Sequence, residues 1–190
     1  MRVVVGLGNP GPAYEATRHN LGARAVRVLA DRHRTPLQPD PLGALVGRVA
    51  APPDELRLAI PQTGMNNCGP VVRALYDREG LAEPRRLLVV HDELDLPVGR
   101  LKVKAGGGTA GHNGLQSIVE ALGTGDFVRI RIGVGKPPSS DAGVEYVLGR
   151  PEPADLERLD AMAELAADAV ELVVAEGVGT AMTRFNRRSD

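Results

Sequence analysis

Histidine, aspartate and asparagine side chains recur in this sequence at a few points, each next to a short apolar run. His19 ends the stretch GNPGPAYEATRH, and Asp92 directly follows the run RLLVVH. A histidine that a carboxylate orients can act as a general base on water. Asparagine amides can bind a substrate carbonyl and stabilise the charge that develops on its oxygen. These residue types therefore predict a hydrolase of an ester or an amide.

The candidate amides lie in three separate segments. Asn9 lies in GNPG, Asn66 in TGMNNCG and Asn113 in GGGTAGHNG. Asn66 and Asn113 each precede a predicted helix and could instead cap it. His19 could likewise be a packed loop histidine, and Asp92 could cap a turn or bind Mg²⁺. The sequence has no G-x-S-x-G, C-x-x-C or H-E-x-x-H motif, and its histidine and aspartate spacing does not indicate a metal site.

Basic residues flank the triple-glycine segment. Lys102 and Lys104 lead into it, and Arg129 and Arg131 lie on a later predicted strand. On an exposed strand such charges are solvated. If they converge beside the loops, they could bind a phosphate together with the backbone amides of residues 106–108. Cys68 is interpreted as a small residue near a helix start, since no base lies next to it in sequence to activate the thiol.

The first loop also contains the pattern G-x-G-x-x-G, beginning at Gly6. A dinucleotide-binding turn of this kind opens a helix and is followed by an acidic residue at the end of a second strand. Pro10 and Pro12 disfavour helical geometry here, and helical apolar spacing begins only at Leu21. We therefore favour a strand-to-helix loop that carries polar groups at the edge of a sheet, with a dinucleotide site as the weaker alternative.

The remaining segments must position these groups. Apolar runs and alternation predict strands over 2–7, 44–50, 55–60, 86–91, 99–105 and 127–134. Helical spacing predicts helices over 21–33, 69–78, 115–122, 153–174 and a last one from Val178, while residues 35–41 with three prolines are predicted to be a loop. This order predicts one α/β domain over residues 1–190, a mixed β-sheet sandwiched between α-helices, with disorder only at the last few residues.

Composition narrows the class of protein. The chain has 190 residues, 43% hydrophobic and 25% charged, which is typical of a soluble globular protein. One cysteine excludes an intrachain disulfide and fits a reducing cytoplasm. The sequence has no apolar run long enough for a membrane span, and its N-terminal residues lack the pattern of a secretory signal. The net charge of −1 means that nucleic-acid binding would need a local basic patch.

Taken in order, these segments resemble the bacterial-type peptidyl-tRNA hydrolase family over almost the whole chain. The resemblance is carried by VGLGNPGPAYEATRHNLG, the Met65-Asn66 pair, VVHDELDLPVGRLKVKAGGGTAGHNGL, RIRIGVGKP and YVLGRP. It implies a single α/β domain and a monomeric cytoplasmic enzyme that needs no metal or other cofactor. The implied reaction is hydrolysis of the ester that links a peptide to the terminal ribose of tRNA.

The resemblance also implies roles for individual residues. His19 corresponds to the catalytic histidine that activates water, and Asp92 to the carboxylate that orients it. The implied substrate-binding residues are Asn9, Tyr14, Asn66, His112 and Asn113. Lys104 and Arg131 correspond to basic positions that bind a tRNA phosphate. Because the asparagines can pair with a peptide amide but not with a free ammonium, free aminoacyl-tRNA is expected to be a poor substrate.

Two departures from the family pattern are local. Gly64 stands where the family usually has an aromatic residue, and Asn67-Cys68-Gly69 stands where Leu-Ser-Gly is usual. Losing a ring predicts a more mobile loop around Asn66, with activity retained. The main alternative function is that of a non-catalytic relative that binds RNA and a protein partner. Intact His19 and Asp92 favour the enzyme, and an oxidoreductase has only the glycine pattern in its support.

Overall fold

The computed structural model describes residues 1–187, apart from the side chain of Ser140. The strands are β1 (Arg2–Gly6), β2 (Gln38–Asp40), β3 (Ala44–Ala51), β4 (Asp54–Pro61), β5 (Leu87–Glu93), β6 (Leu101–Ala105) and β7 (Val128–Gly133). The α-helices are α1 (Leu21–Arg32), α2 (Cys68–Arg78), α3 (Asn113–Leu122), α4 (Gly143–Leu148), α5 (Pro153–Glu176) and α6 (Val178–Phe185). Within these residues no helix combines the length and the apolar character that a bilayer crossing requires.

The strands form one seven-stranded sheet in the order β2-β3-β4-β1-β5-β7-β6. The four central strands β4, β1, β5 and β7 are parallel to one another, and the outer pairings are antiparallel. The apolar runs of β1 and β5 are buried along their length, as expected for parallel strands covered on both faces. Because parallel strands end at the same edge, the loops after β1 and β5 meet there.

Helices cover both faces of the sheet. Alternation along β1 sends Val4 to a core shared with α1, α5 and α6, and sends Val3 and Val5 to a second core shared with α2 and α3. The predicted fold, a mixed β-sheet sandwiched between α-helices, is confirmed.

Three local features differ from what the sequence patterns predicted or left open. Residues 38–40 are not loop but the edge strand β2, where Pro39 is tolerated because one side of the strand faces solvent. Helix α4 was not predicted. Neither Asn66 nor Asn113 caps a helix, because Asn66 lies in a 3₁₀ turn and the side chain of His112 caps α3. The expectation of disorder at the last few residues falls largely outside the described residues.

Helix α1 approaches the sheet closely at two glycines. A Cβ atom on Gly22 would lie 2.1 Å from the carbonyl oxygen of Val90, and one on Gly6 would lie 2.3 Å from the carbonyl oxygen of Gly22. The backbone N–H of Ala23 donates a hydrogen bond of 2.9 Å to the Leu7 carbonyl. This contact fixes the start of α1, and with it the 3₁₀ turn just before it, over the ends of β1 and β5.

We expect Gly22→Ala to lower the free energy of unfolding by about 2–3 kcal/mol, because the added methyl group meets backbone atoms that cannot rotate away. Urea denaturation measures the change. The matched control is Gly179→Ala in α6, where a Cβ meets no atom within 4 Å, so stability should stay the same or rise by up to about 1 kcal/mol. Equal effects of the two substitutions would contradict the close approach.

Candidate active site

The loop after β1 is closed by an asparagine pair. Asn20 is buried, its Oδ1 accepts a hydrogen bond of 2.8 Å from the Asn9 N–H, and its Nδ2 donates one of 2.8 Å to the Asn9 carbonyl. The chain then forms a 3₁₀ turn over Arg18–Asn20, and α1 begins only at Leu21. No helix opens on the glycine pattern, which agrees with a polar loop rather than a dinucleotide-binding turn.

Two histidines meet one aspartate at the edge of the sheet. Nδ1 of His19 lies 2.9 Å and 3.0 Å from the two carboxylate oxygens of Asp92. Nε2 of His112 lies 2.9 Å from Oδ1 of the same carboxylate. The Asp92 side chain at the end of β5 is only 2% exposed, and the two imidazole side chains are 13% and 10% exposed. The structure therefore brings His19 and Asp92 into contact, as the sequence predicted.

The protonation of this triad follows from its contacts. Burial alone would raise the pKa of Asp92, but the charge and hydrogen bonds of His112 and His19 outweigh it and lower that pKa below its usual range. An ionised carboxylate only accepts, so both imidazoles donate an N–H to it. His112 then has an unprotonated Nδ1, which accepts from the Leu115 N–H at 3.4 Å. In its neutral form His19 carries its proton on Nδ1 and has an unprotonated Nε2.

His19, Asp92 and His112 are also close enough to surround a cation, since one possible ligand atom from each lies within 4.8 Å of the others. Within residues 1–187 this is the one such group of three. However, the nitrogens that would bind the cation are the ones that donate to Asp92. A cation in their place would need both N–H protons removed. The residues fit a hydrogen-bonded triad better than a metal ligand set.

The triad opens into a cavity of about 460 Å³ at the carboxyl edge of the sheet. Its polar lining includes His19, Asp92, His112, Asn9, Asn66, Asn67 and Asn113. Its apolar lining includes Met65, Leu94, Val144, Val147 and Leu148. Every predicted catalytic and substrate-binding residue therefore lines this cavity except Tyr14. Tyr14 is 37% exposed and lies in the turn of the first loop, where its carbonyl accepts from Thr17.

The amide of Asn9 has a defined orientation. Its Oδ1 accepts a hydrogen bond of 2.8 Å from the Met65 N–H, which leaves the Nδ2 group as a donor at the cavity. Gly64, just before Met65, has a φ of +83°, a conformation that is strained for the aromatic residue usual in the family. The greater mobility expected for this loop stays a prediction.

A second cavity of about 310 Å³ adjoins the first, with Glu93 and Ala110 in both linings. Lys104 and Arg131, the predicted phosphate-binding residues, both line it. Arg131 forms an ion pair of 2.9 Å with the buried Glu93, whereas Lys104 has no partner among residues 1–187. Arg129 also lines this cavity, but it is 2% exposed and is therefore not a solvated strand charge.

Sequence reasoning assigned no role to three contributors to the site. Asn20, Glu93 and the apolar face of α4 act only through tertiary contacts, and for α4 the one signal was the YVLGRP segment. Cys68 is buried and its Sγ donates to the Gly114 carbonyl at 3.5 Å. Burial raises the pKa of this thiol to about 11, so it is a packing residue rather than a reactive one.

Comparison with known proteins agrees with this geometry. The peptidyl-tRNA hydrolase family profile matches residues 3–190. The chain is 42% identical to the peptidyl-tRNA hydrolase of Chloroflexus aurantiacus over 98% of this chain and 99% of that one. It is 46% identical to that of Acidobacterium capsulatum over 100% of this chain and 98% of that one.

Solved structures give the same result. A crystal structure of peptidyl-tRNA hydrolase from Acinetobacter baumannii superposes with a TM-score of 0.92 at 37% identity, covering 100% of this chain and 96% of that one. The fold and the sequence similarity along nearly the whole chain point to the same family. The chain belongs to the peptidyl-tRNA hydrolase family.

Proposed function

We propose that this chain hydrolyses the ester bond between a peptide and the terminal ribose of tRNA, with His19 as general base and Asp92 as the carboxylate that orients it. The observation that carries this assignment is the contact of His19 Nδ1 with the buried Asp92 carboxylate, at 2.9 Å, beside a cavity lined by asparagine amides. Membership of the family supports the reaction itself.

The reaction follows from the protonation of the triad. His19 Nε2 takes a proton from a water molecule as the water oxygen attacks the ester carbonyl carbon. Asp92 stabilises the imidazolium that forms and does not itself take the proton. When the tetrahedral intermediate collapses, the bond from carbon to the ribose oxygen breaks and the imidazolium returns its proton to that oxygen. The products are a peptide with a free carboxylate and a tRNA with a free terminal hydroxyl.

The amides bind the peptide part of the substrate. The Nδ2 group of Asn9 is a donor for the carbonyl oxygen that becomes negatively charged. Asn66 and Asn113 line the same cavity, and their side chains form no hydrogen bond within residues 1–187. They can both donate to and accept from a peptide amide next to the ester, whereas a free ammonium only donates and leaves their Nδ2 groups without an acceptor. The apolar residues of α4 provide contacts for peptide side chains.

The tRNA lies on the side of the second cavity in this proposal. Lys104 is an unpaired cation there, and Arg131 can share its guanidinium between Glu93 and a phosphate. These contacts are to the backbone and not to bases, so one enzyme can accept many tRNAs. The exposed ring of Tyr14 is available to stack on a terminal base. The chain would act as one domain and as a monomer in the cytoplasm.

The decisive experiment measures tRNA release from N-acetyl-aminoacyl-tRNA and from free aminoacyl-tRNA, both in the presence of EDTA. We expect the blocked substrate to be hydrolysed at least about 10²-fold faster, because its amide fills the hydrogen-bonding positions of the asparagines. If the protein binds the blocked substrate but releases no tRNA above the buffer rate, it is the non-catalytic RNA-binding relative instead. Loss of activity in EDTA would contradict the metal-independent mechanism.

We expect kcat/KM to fall as the solution is acidified from about pH 8 to about pH 5, with a logarithmic slope that approaches one at the acid end, because only a neutral imidazole accepts a proton from water. Asp92 does not cause this fall, since its lowered pKa keeps it ionised. His91 does not cause it either, because burial and the neighbouring His112 lower its pKa to about 3 and it stays neutral. A flat pH–rate profile would count against His19 as the base.

A further inference from the structure

Arg129 is a buried cation that binds backbone carbonyls. It lies on β7 with 2% of its surface exposed, and its guanidinium group lies 4.7 Å from the centre of the Phe127 ring. Nη1 donates to the Gly108 carbonyl, and Nη2 donates to the carbonyls of Gly107 and Gly125. Within residues 1–187 it forms no ion pair with a carboxylate. Charge-assisted hydrogen bonds to three carbonyls therefore offset part of the cost of its burial, while its buried Nε has no partner within residues 1–187.

Two of the carbonyls that it binds, those of Gly107 and Gly108, belong to a loop with an unusual backbone. Gly106, Gly107 and Gly111 have positive φ values of 71°, 118° and 77°, and Ala110 has one of 47°. This loop connects β6 to α3, and His112 lies at its end. Glycine adopts these conformations readily, but Ala110 does not, so contacts around the loop must hold it there. Arg129 supplies two of those contacts, at adjacent peptide groups.

The direction of these carbonyls fixes the direction of the neighbouring N–H groups. In a trans peptide the carbonyl and the N–H of the next residue point in opposite directions. The carbonyls of Gly107 and Gly108 point inward to Arg129, so the N–H groups of Gly108 and Thr109 point outward. Gly108 is exposed, and neither N–H has a partner within residues 1–187. Two free donors thus face out of the protein.

These donors lie next to the unpaired cation of the second cavity. A Cβ atom on Gly107 would lie 2.7 Å from Lys104 Nζ, which places the ammonium against this part of the loop. Adjacent outward N–H groups beside a cation form an anion-binding concavity. Arg129 lines the same cavity from its buried side.

We propose that Arg129 is a positioning residue for substrate phosphate: by binding the Gly107 and Gly108 carbonyls it turns the Gly108 and Thr109 N–H groups outward, where they bind a tRNA phosphate together with Lys104. The inference rests on the proposed function, since it takes tRNA as the substrate. Arginine is required because its planar fork reaches several carbonyls at once, whereas lysine has a single ammonium that cannot span them.

The test compares Arg129→Lys with the wild type in two measurements. One is the Kd for a deacylated acceptor-stem RNA hairpin, and the other is kcat with saturating N-acetyl-aminoacyl-tRNA. We expect the Kd to rise about tenfold while kcat stays within about twofold, because His112 keeps its own hydrogen bonds to Asp92 and Leu115. Lys104→Ala should weaken RNA binding less in the Arg129→Lys background than in the wild type, since both changes act on one phosphate.

Arg57→Lys is the matched control. Arg57 lies on β4 with 18% of its side chain exposed and forms an ion pair of 2.8 Å with Glu79. Its substitution should change neither measurement, and Lys104→Ala should weaken RNA binding equally in the wild type and in the Arg57→Lys background. An unchanged Kd in Arg129→Lys would overturn the inference. So would a variant in which RNA affinity and kcat fall by the same factor and in which the effect of Lys104→Ala on the Kd is the same as in the wild type. If the wild type itself neither binds the hairpin nor hydrolyses the ester, the proposed function fails instead.

Discussion

Replacing His19 with alanine is expected to lower kcat for N-acetyl-aminoacyl-tRNA by about 10³-fold, within the range of about 10²–10⁴ that loss of a general base costs. The water molecule would then have to lose its proton to solvent. KM should change much less, because the amides of Asn9, Asn66 and Asn113 are untouched. Steady-state kinetics on tRNA release separates the two constants.

The control for this variant is His33→Ala. His33 is 31% exposed and lies 2.9 Å from Glu171, on α5, away from the cavity lining. Its loss should leave kcat within about twofold. Urea denaturation of both variants is needed, because His19→Ala also removes one donor from the buried Asp92 carboxylate and should lower stability by about 1–3 kcal/mol. If a folded His19→Ala protein retains the wild-type kcat, His19 is not the base.

The fold could be predicted because β1 and β5, at the middle of the sheet, contain uninterrupted apolar runs. Val3, Val4 and Val5 form one such run and residues 87–90 another, and both must be covered on two faces. The amphipathic spacing of α1 and α5 predicted what covers them. Strand propensity could not predict β2. Its three residues, which include Pro39, form a strand only because β3 offers them an unpaired edge.

The site could be predicted only in part, because, as for β2, some of its contacts form only in the folded chain. That His19 and Asp92 follow two strands of one parallel sheet predicts that they meet. That His112 donates to the same carboxylate depends on the path of the glycine-rich loop from β6 to α3, which no local sequence pattern predicts. An alternating strand pattern predicts Arg129 to be exposed, and its burial follows only from three carbonyls that converge on it in the folded chain.

Asp92→Asn is expected to lower kcat by about 10³–10⁴-fold, although the substitution hardly changes the size of the side chain. The carboxylate accepts from Nδ1 of His19 and from Nε2 of His112 at the same time. With its oxygen in the place of Oδ1, which accepts from His112, the amide puts its donating Nδ2 in the place of Oδ2, 2.9 Å from His19 Nδ1. If His112 keeps its proton on Nε2, His19 must turn its lone pair toward the amide. Its Nε2 then carries the proton and cannot accept one from water.

This competition predicts an unusual double-variant result. In Asp92→Asn with His112→Ala the amide oxygen has only His19 as a donor nearby, so His19 can return to the catalytically useful tautomer. We expect the double variant to be about tenfold more active than Asp92→Asn alone, although His112→Ala by itself should lower kcat several-fold. Steady-state kcat values for the four proteins form the cycle. If the factors by which the two single variants lower kcat simply multiply in the double variant, His112 does not compete with His19 for the side chain at position 92.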